Sequence, residues 1–210
     1  MNVKCTNERK NKMKKTIIVA AAVAVMLTVN AFAEGADARK RPSPAGLALL
    51  DVLQFPQPDV DILGLRLNII YGRNANVQGI DIGAFGSGVE GSLFGLQTSG
   101  ILNDVGSSNG SLQIAGIVNI CAEDFYGGQI SGIANSTAQA LYGGQVSVFN
   151  AAQTMYGTQI GVINKCGETQ GLQIGLINTA EKAGGLFQIG LINVIKSNKN
   201  KFFPIINLGF

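Results

Sequence analysis

The chain is expected to be all-β: a repeat β-solenoid of 14–16-residue coils, preceded by an N-terminal signal helix. Two observations carry that expectation. The first is the stretch Gly171-Leu172-Gln173-Ile174-Gly175-Leu176-Ile177-Asn178, which returns, degraded but recognisable, along most of the sequence. Repetition at a fixed short period marks architectures that stack one supersecondary unit on the next. The second is composition. With 28 Gly in 210 residues, 46% hydrophobic and only 14% charged residues, the chain reads as short strands joined by many turns. Collagen would need a strict G-X-Y period, and a disordered chain would carry more charge and less apolar surface.

Residues 1–33 read as a signal peptide. A basic region ends at Lys14-Lys15, an apolar run extends from Thr16 to Val29, and Ala31-Phe32-Ala33 places small residues at a cleavage site. Met13 opens a more usual Met-Lys-Lys start. The apolar run falls short of the roughly 20 residues that span a bilayer. No Cys sits at the cleavage point, so a lipid-anchored lipoprotein is not indicated. Export then implies the outer membrane, the cell surface or the periplasm. Beyond residue 33, ten basic residues face twelve acidic ones, so the remaining chain has no basic footprint for nucleic acid. Arg39-Lys40-Arg41 falls in the linker and reads as a solvated tail.

Residues 34–62 form a linker and N-terminal cap, with residues 34–44 flexible. Pro42, Pro44, Pro56 and Pro58 fall here, and each biases its predecessor away from helix. Between them, Ala45 to Gln54 could form one short helix or an apolar cap. Strand signals begin at Leu63 to Tyr71 and continue at Val77 to Phe85.

The repeat domain is 63–195. A Gln column reads Asp81, Gln97, Gln113, Gln129, Gln145, Gln159, Gln173 and Gln188, with Arg66 extending it backwards. An Asn column reads Asn103, Asn119, Asn135, Asn150, Asn164, Asn178 and Asn193. The Gln-to-Asn step is six residues in the first three units and five in the last four, which implies a bulge in the longer ones. The position two past each Asn is small or apolar: Val105, Cys121, Thr137, Ala152, Cys166, Ala180 and Ile195. A return segment follows, as in Phe125-Tyr126-Gly127, Leu141-Tyr142-Gly143 and Met155-Tyr156-Gly157, where Gly permits positive φ at a corner. Leu172, Ile174 and Leu176 fall on one face of the wall, and Gly175 marks a tight spot in it. Residues 196–210 form a C-terminal capping strand.

The alternative is a small antiparallel outer-membrane β-barrel. Three features favour coils. Equivalent Gln and Asn side chains pair along an axis only if the strands stack in parallel. Phe125, Leu141 and Met155 need a second wall to be buried, where a hairpin turn would want polar residues. The connecting segments are also of similar length throughout, whereas barrels alternate short turns with long loops. The barrel draws on the end of the chain, where Ile206, Leu208 and Phe210 alternate, and on a count of about ten strands.

The unit Gly171 to Asn178, its copy Leu186 to Asn193, the lead-in Leu63 to Gly72 and the aromatic end Phe202 to Phe210 resemble a group of bacterial surface repeat-containing proteins. The resemblance covers roughly residues 55–210 and implies an exported, surface-associated protein with no assigned enzyme activity and no functional residues to carry over.

The chemistry points the same way. Without His, neither Ser-His-Asp nor Cys-His nucleophiles nor His-based zinc sites can be assembled. Cys121 and Cys166 share one column three units apart, about 14 Å in a solenoid, so they are expected to be small buried residues that do not pair. Gly86-Ser87-Gly88-Val89-Glu90-Gly91 matches a dinucleotide fingerprint but is followed by another repeat strand, not a helix. Glu123-Asp124 reads as a solvated turn, Asp81 as the end of a polar ladder, and the sequon Asn135-Ser136-Thr137 carries little weight. No catalytic, cofactor-binding or metal-binding residue is expected, and no cofactor. The candidate interaction residues are Tyr126, Tyr142 and Tyr156, with Phe94 in register, because aromatic stripes stack sugars or dock partners; the alternative is that the rings cover a corner of the core. The expected partner is an envelope or surface protein or glycan, with membrane association through the C-terminal strand. The functional expectation is an exported, non-enzymatic surface scaffold. Its rivals are a membrane barrel with a structural or pore role and, least supported, a carbohydrate-active enzyme.

Overall fold

A computed structural model describes residues 41–210. The expected signal peptide and most of the flexible linker lie outside the described residues. Among the described residues there are twelve strands and no helix. They are β1 (Ser43–Leu50), β2 (Leu53–Phe55), β3 (Ile62–Asn68), β4 (Arg73–Asn74), β5 (Val77–Gly83) and β6 (Gly86–Ser99). Then follow β7 (Leu102–Ala115), β8 (Val118–Cys121), β9 (Phe125–Ser131), β10 (Ala134–Ile174), β11 (Ile177–Ile195) and β12 (Phe202–Gly209).

The chain is a β-solenoid of about nine turns, not a barrel. From β1–β3 to β10–β11, neighbouring coils pair in parallel, and the register superimposes equivalent residues. Arg66 opposes Asp81, Asp81 opposes Gln97, Gln97 opposes Gln113 and Gln173 opposes Gln188. A barrel would need antiparallel neighbours, and those occur only at the two ends of the described chain: β1–β2 and β11–β12. The alternating aromatic tail that suggested a closing barrel strand is therefore a cap laid antiparallel on the last coil. Pro204, which lacks an N–H, lies where that pairing slips between Gly190 and Asn193.

Residues 45–54 are not helical. They form a hairpin whose first strand already pairs in parallel with β3, so the ladder starts at Ser43, ahead of the expected boundary at 63. The extra residue of the longer units is absorbed in corner bends such as Gly116-Ile117 and Gly132-Ile133, not as a bulge within a strand. In the shorter units ending at Asn150 and Asn164 the ladder continues round the corners, so β10 runs unbroken through 41 residues until the bend at Gly175-Leu176.

Glycine fixes the corner after each return. Gly143 has φ +138°, and a Cβ there would lie 2.0 Å from the Gly127 carbonyl oxygen of the coil below. Only Gly accepts both the dihedral and the close approach. Gly175 is tight as expected: an added Cβ would fall 2.4 Å from the Gly161 carbonyl oxygen.

The interior has two halves. One is apolar: Leu93, Phe125, Leu141 and Met155 on one side meet Val89, Val105, Cys121, Ala152 and Cys166 on the other. The other half is filled by the buried Gln and Asn columns. Because strand side chains alternate between faces, burying Gln173 and Asn178 turns Ile174 and Leu176 outward. The face carrying Leu172, Ile174 and Leu176 is thus the outer one, and Leu176 is exposed.

Candidate interaction faces

The buried amides form two chains of hydrogen bonds that run in opposite directions. In the Gln chain each Nε2 donates to the Oε1 of the coil before: Gln113 to Gln97, Gln129 to Gln113, Gln145 to Gln129, Gln159 to Gln145, Gln173 to Gln159 and Gln188 to Gln173, at 2.7–2.9 Å. In the Asn chain each Nδ2 donates forward: Asn103 to Asn119, Asn119 to Asn135, Asn135 to Asn150, Asn150 to Asn164, Asn164 to Asn178 and Asn178 to Asn193, at 2.8–3.1 Å. Each Asn from Asn103 to Asn178 also donates to a corner-side carbonyl of the next coil, as Asn164 does to Ile174 at 2.9 Å, and Asn193 donates to the Gly190 carbonyl oxygen of its own coil at 2.8 Å. An amide has two donors and one acceptor oxygen, so this arrangement satisfies buried groups that would otherwise be costly. Chains of such bonds polarise one another and strengthen.

Asp81 sets the direction of the Gln chain. A carboxylate only accepts, and it takes the Gln97 Nε2 at 3.0 Å. Arg66 neutralises it from the other side, with Nε on Oδ1 at 2.9 Å, and Asn68 and Ser87 donate to the same carboxylate. Asp81 therefore ends a polar ladder, as the sequence implied. That Arg66 is its buried ion partner was readable only from their shared column. At the opposite ends, Gln188 Oε1 and Asn103 Oδ1 are the acceptors left without a protein donor.

The three candidate tyrosines come together. Tyr126 and Tyr142 stack with ring centroids 4.4 Å apart and 6° between planes, and Tyr142 and Tyr156 follow at 5.0 Å and 9°. Their faces are turned to one another. Only the ring edges, the hydroxyls and the two outermost faces remain for a ligand, so a sugar cannot lie along the row face-on. The Tyr142 phenol is held above its ordinary pKa, first by desolvation and then by the neighbouring Tyr126 and Asp124. Phe94 shares the column but is separated from the stack by Asn109, which pairs in register with Tyr126.

Other sequence candidates have structural tasks. Asp124 Oδ1 accepts from the Ala140 amide at 2.9 Å, which pins one coil to the next. Gly88 lies in β6, where a Cβ would meet the Tyr71 hydroxyl at 2.3 Å; no helix follows it to hold a nucleotide. Asn135 is buried in its ladder, out of reach of glycosylation. Cys121 and Cys166 are buried and free, and burial raises each thiol to about 11. At neutral pH neither offers a thiolate. Among the described residues no cluster of His, Cys, Asp and Glu could hold a metal ion, and no helix is long and apolar enough to cross a membrane.

The feature missed in the sequence is the outer surface of the ladder wall. Its columns are mostly apolar: Ile80, Leu112 and Phe187 before the Gln position, Ile82, Ile130, Val146 and Ile160 after it, and Val162, Leu176 and Leu191 at the corner are all exposed, with Gly128, Gly144, Thr158 and Thr98 interrupting them. Their alternation with Gln was visible, but not that amide ladders would take the inside. No family model, curated protein or solved structure matches the chain.

Proposed function

We propose that this is an exported, non-enzymatic repeat protein of the bacterial envelope or cell surface, acting as an interaction scaffold. One observation carries the reading: a solenoid that buries its amides and turns an extended, mostly aliphatic surface outward. Exposed apolar patches of this extent mark binding surfaces. Other features support it. The Ala31-Phe32-Ala33 site and the apolar run before it favour export. The groups that carry chemistry elsewhere are occupied structurally: Asp81 by Arg66, Asp124 by a backbone amide, and both cysteines by burial. The resemblance to surface repeat proteins agrees with it. The exposed pairs Lys182–Glu168 and Lys196–Glu181, each at 2.7 Å, give the scaffold a water-facing side.

Fractionation of the producing cell, combined with mass determination of the recovered protein, tests the reading. The expected result is a chain beginning at Glu34 in the envelope or on the surface. An uncleaved chain in the cytoplasm would overturn it.

A further inference from the structure

We propose that the outer aliphatic face is a homodimer interface: two copies of this chain pair through it about a twofold axis parallel to the solenoid axis. This deepens the scaffold reading and rests on it only in taking that face as a binding surface. On the face, an open apolar groove of about 780 Å³ runs across several coils. Its floor is made of residues with little or no side chain, Gly161, Gly175 and Gly190 among them. Beside the floor stands a ridge of Val162, Leu176 and Leu191, which are 40%, 52% and 66% exposed. From Val148 to Leu191 ridge and groove are parallel columns, one residue of each per coil.

This geometry is self-complementary. A twofold axis running midway between ridge and groove lays the ridge of each copy into the groove of the other, as an isologous interface requires. The spacing along the axis, about 4.8 Å per coil, is the same in both copies, so each coil of the groove finds a ridge residue of the partner, and the earlier coils meet through their exposed Ile and Leu side chains. The product is two sheets about 10 Å apart with interdigitated dry side chains, as in a steric zipper.

A Cβ at Gly175 or Gly190 would point inward, at the carbonyl of the coil below and the buried Asn amides. The slot therefore follows from strand alternation: it lies between the outward columns of Ile160 and Val162 and is one outward side chain deep.

Size and charge agree. About nine coils of ~4.8 Å by about four residues of ~3.3 Å give roughly 600 Å² per copy, or roughly 1,200 Å² in total, inside the range of stable interfaces. The aliphatic columns from Ile80 to Ile192 contain no charged side chain, so two identical faces meet without like-charge repulsion. A lipid surface is the competing occupant. It would not require ridge and groove to match, and an anionic one would favour basic residues at the rim of the face, where these columns have none.

Sedimentation equilibrium on the protein as recovered from the producing cell, without detergent, tests the proposal. The expected result is a dimer whose dissociation constant rises at least ~100-fold when Leu176→Glu and Leu191→Glu are combined, because two charges are then buried unpaired. Lys165→Glu on the opposite wall should leave it unchanged. If the double variant fails to fold by circular dichroism, Leu176→Cys replaces it. Its exposed thiol should give a covalent dimer with a short bismaleimide, whereas the native cysteines are buried. A wild-type monomer at all concentrations, a dimer indifferent to the double variant, or no cross-link at Cys would each overturn the proposal. Flotation of a monomeric wild type with neutral phosphatidylcholine vesicles would replace the second copy by lipid. In every case the location of the protein in the cell is decided separately, by the fractionation above.

Discussion

The two halves of the solenoid interior solve the same problem with opposite chemistry. One half is lined by Phe125, Leu141 and Met155 facing Cys121, Ala152 and Cys166, and buries apolar side chains. The other is lined by the Gln and Asn columns on either side of a corner and buries amides, while the strand that carries the Gln column turns Ile, Val and Leu outward. A buried Leu needs only to leave water, so the first half tolerates Phe, Leu and Met in one column. A buried Gln needs its neighbour's amide at 2.8 Å, above and below. The second half therefore repeats one residue from Gln97 to Gln188 without variation. Strictness of repeat thus reports hydrogen bonding along the axis, while looseness reports packing across it.

The comparison breaks most sharply where the ladder becomes charged. Arg66→Met removes the cation that neutralises Asp81 and leaves a carboxylate buried with amide and hydroxyl donors alone. Breaking a buried pair by deleting one partner costs about 3–5 kcal/mol. Urea denaturation should show that loss, and most of it should return in Arg66→Met combined with Asp81→Gln, which restores a neutral ladder. A loss below about 1 kcal/mol in the single variant would mean that Asp81 is not buried as an ion.

Gln145→Leu comes next. It fills much of the same space but leaves the Gln159 Nε2 without its 2.9 Å acceptor, while Gln129 Oε1 keeps Thr137 Oγ1 at 3.1 Å. One orphaned buried donor costs about 1–3 kcal/mol. The same change of denaturation midpoint reads it. A neutral outcome would show that the ladder directs register without contributing stability.

The period, the columns and the stacking were legible in the sequence because the repeat is covalent information: Gln at one position in seven units and Asn at another require parallel coils. The pairing of Arg66 with Asp81 was present in the same column, and so was the meeting of Tyr126, Tyr142 and Tyr156. The outward turn of the Ile columns was not legible. In a strand such as Gln173-Ile174, alternation puts one residue in and the next out but does not say which. The usual preference for buried Ile is reversed here because each amide finds its partner one coil away, which no single unit displays. The first hairpin was obscured for a similar reason. Ala45 to Gln54 has no Gln–Asn signature, and its strand character comes from the edge that β3 offers it.

The smallest predicted effect separates outside from inside most directly. Ile130 is outward and exposed beside the Gln column, while Met155 is fully buried in the apolar half of the interior. Ile130→Lys should leave the stability of the isolated chain within about 0.5 kcal/mol, as surface substitutions do, whereas Met155→Ala should cost about 2–5 kcal/mol. Both are read from urea midpoints in dilute solution, where association does not contribute. If Ile130→Lys proves as costly as Met155→Ala, the two faces of the ladder wall have been exchanged. The Gln column would then lie outside, and the opposed amide chains, the direction set by Asp81 and the aliphatic docking face would fall with it. If the cost stays small, the aliphatic columns contribute nothing to the fold they decorate, and their regularity from coil to coil has to be explained by what covers them.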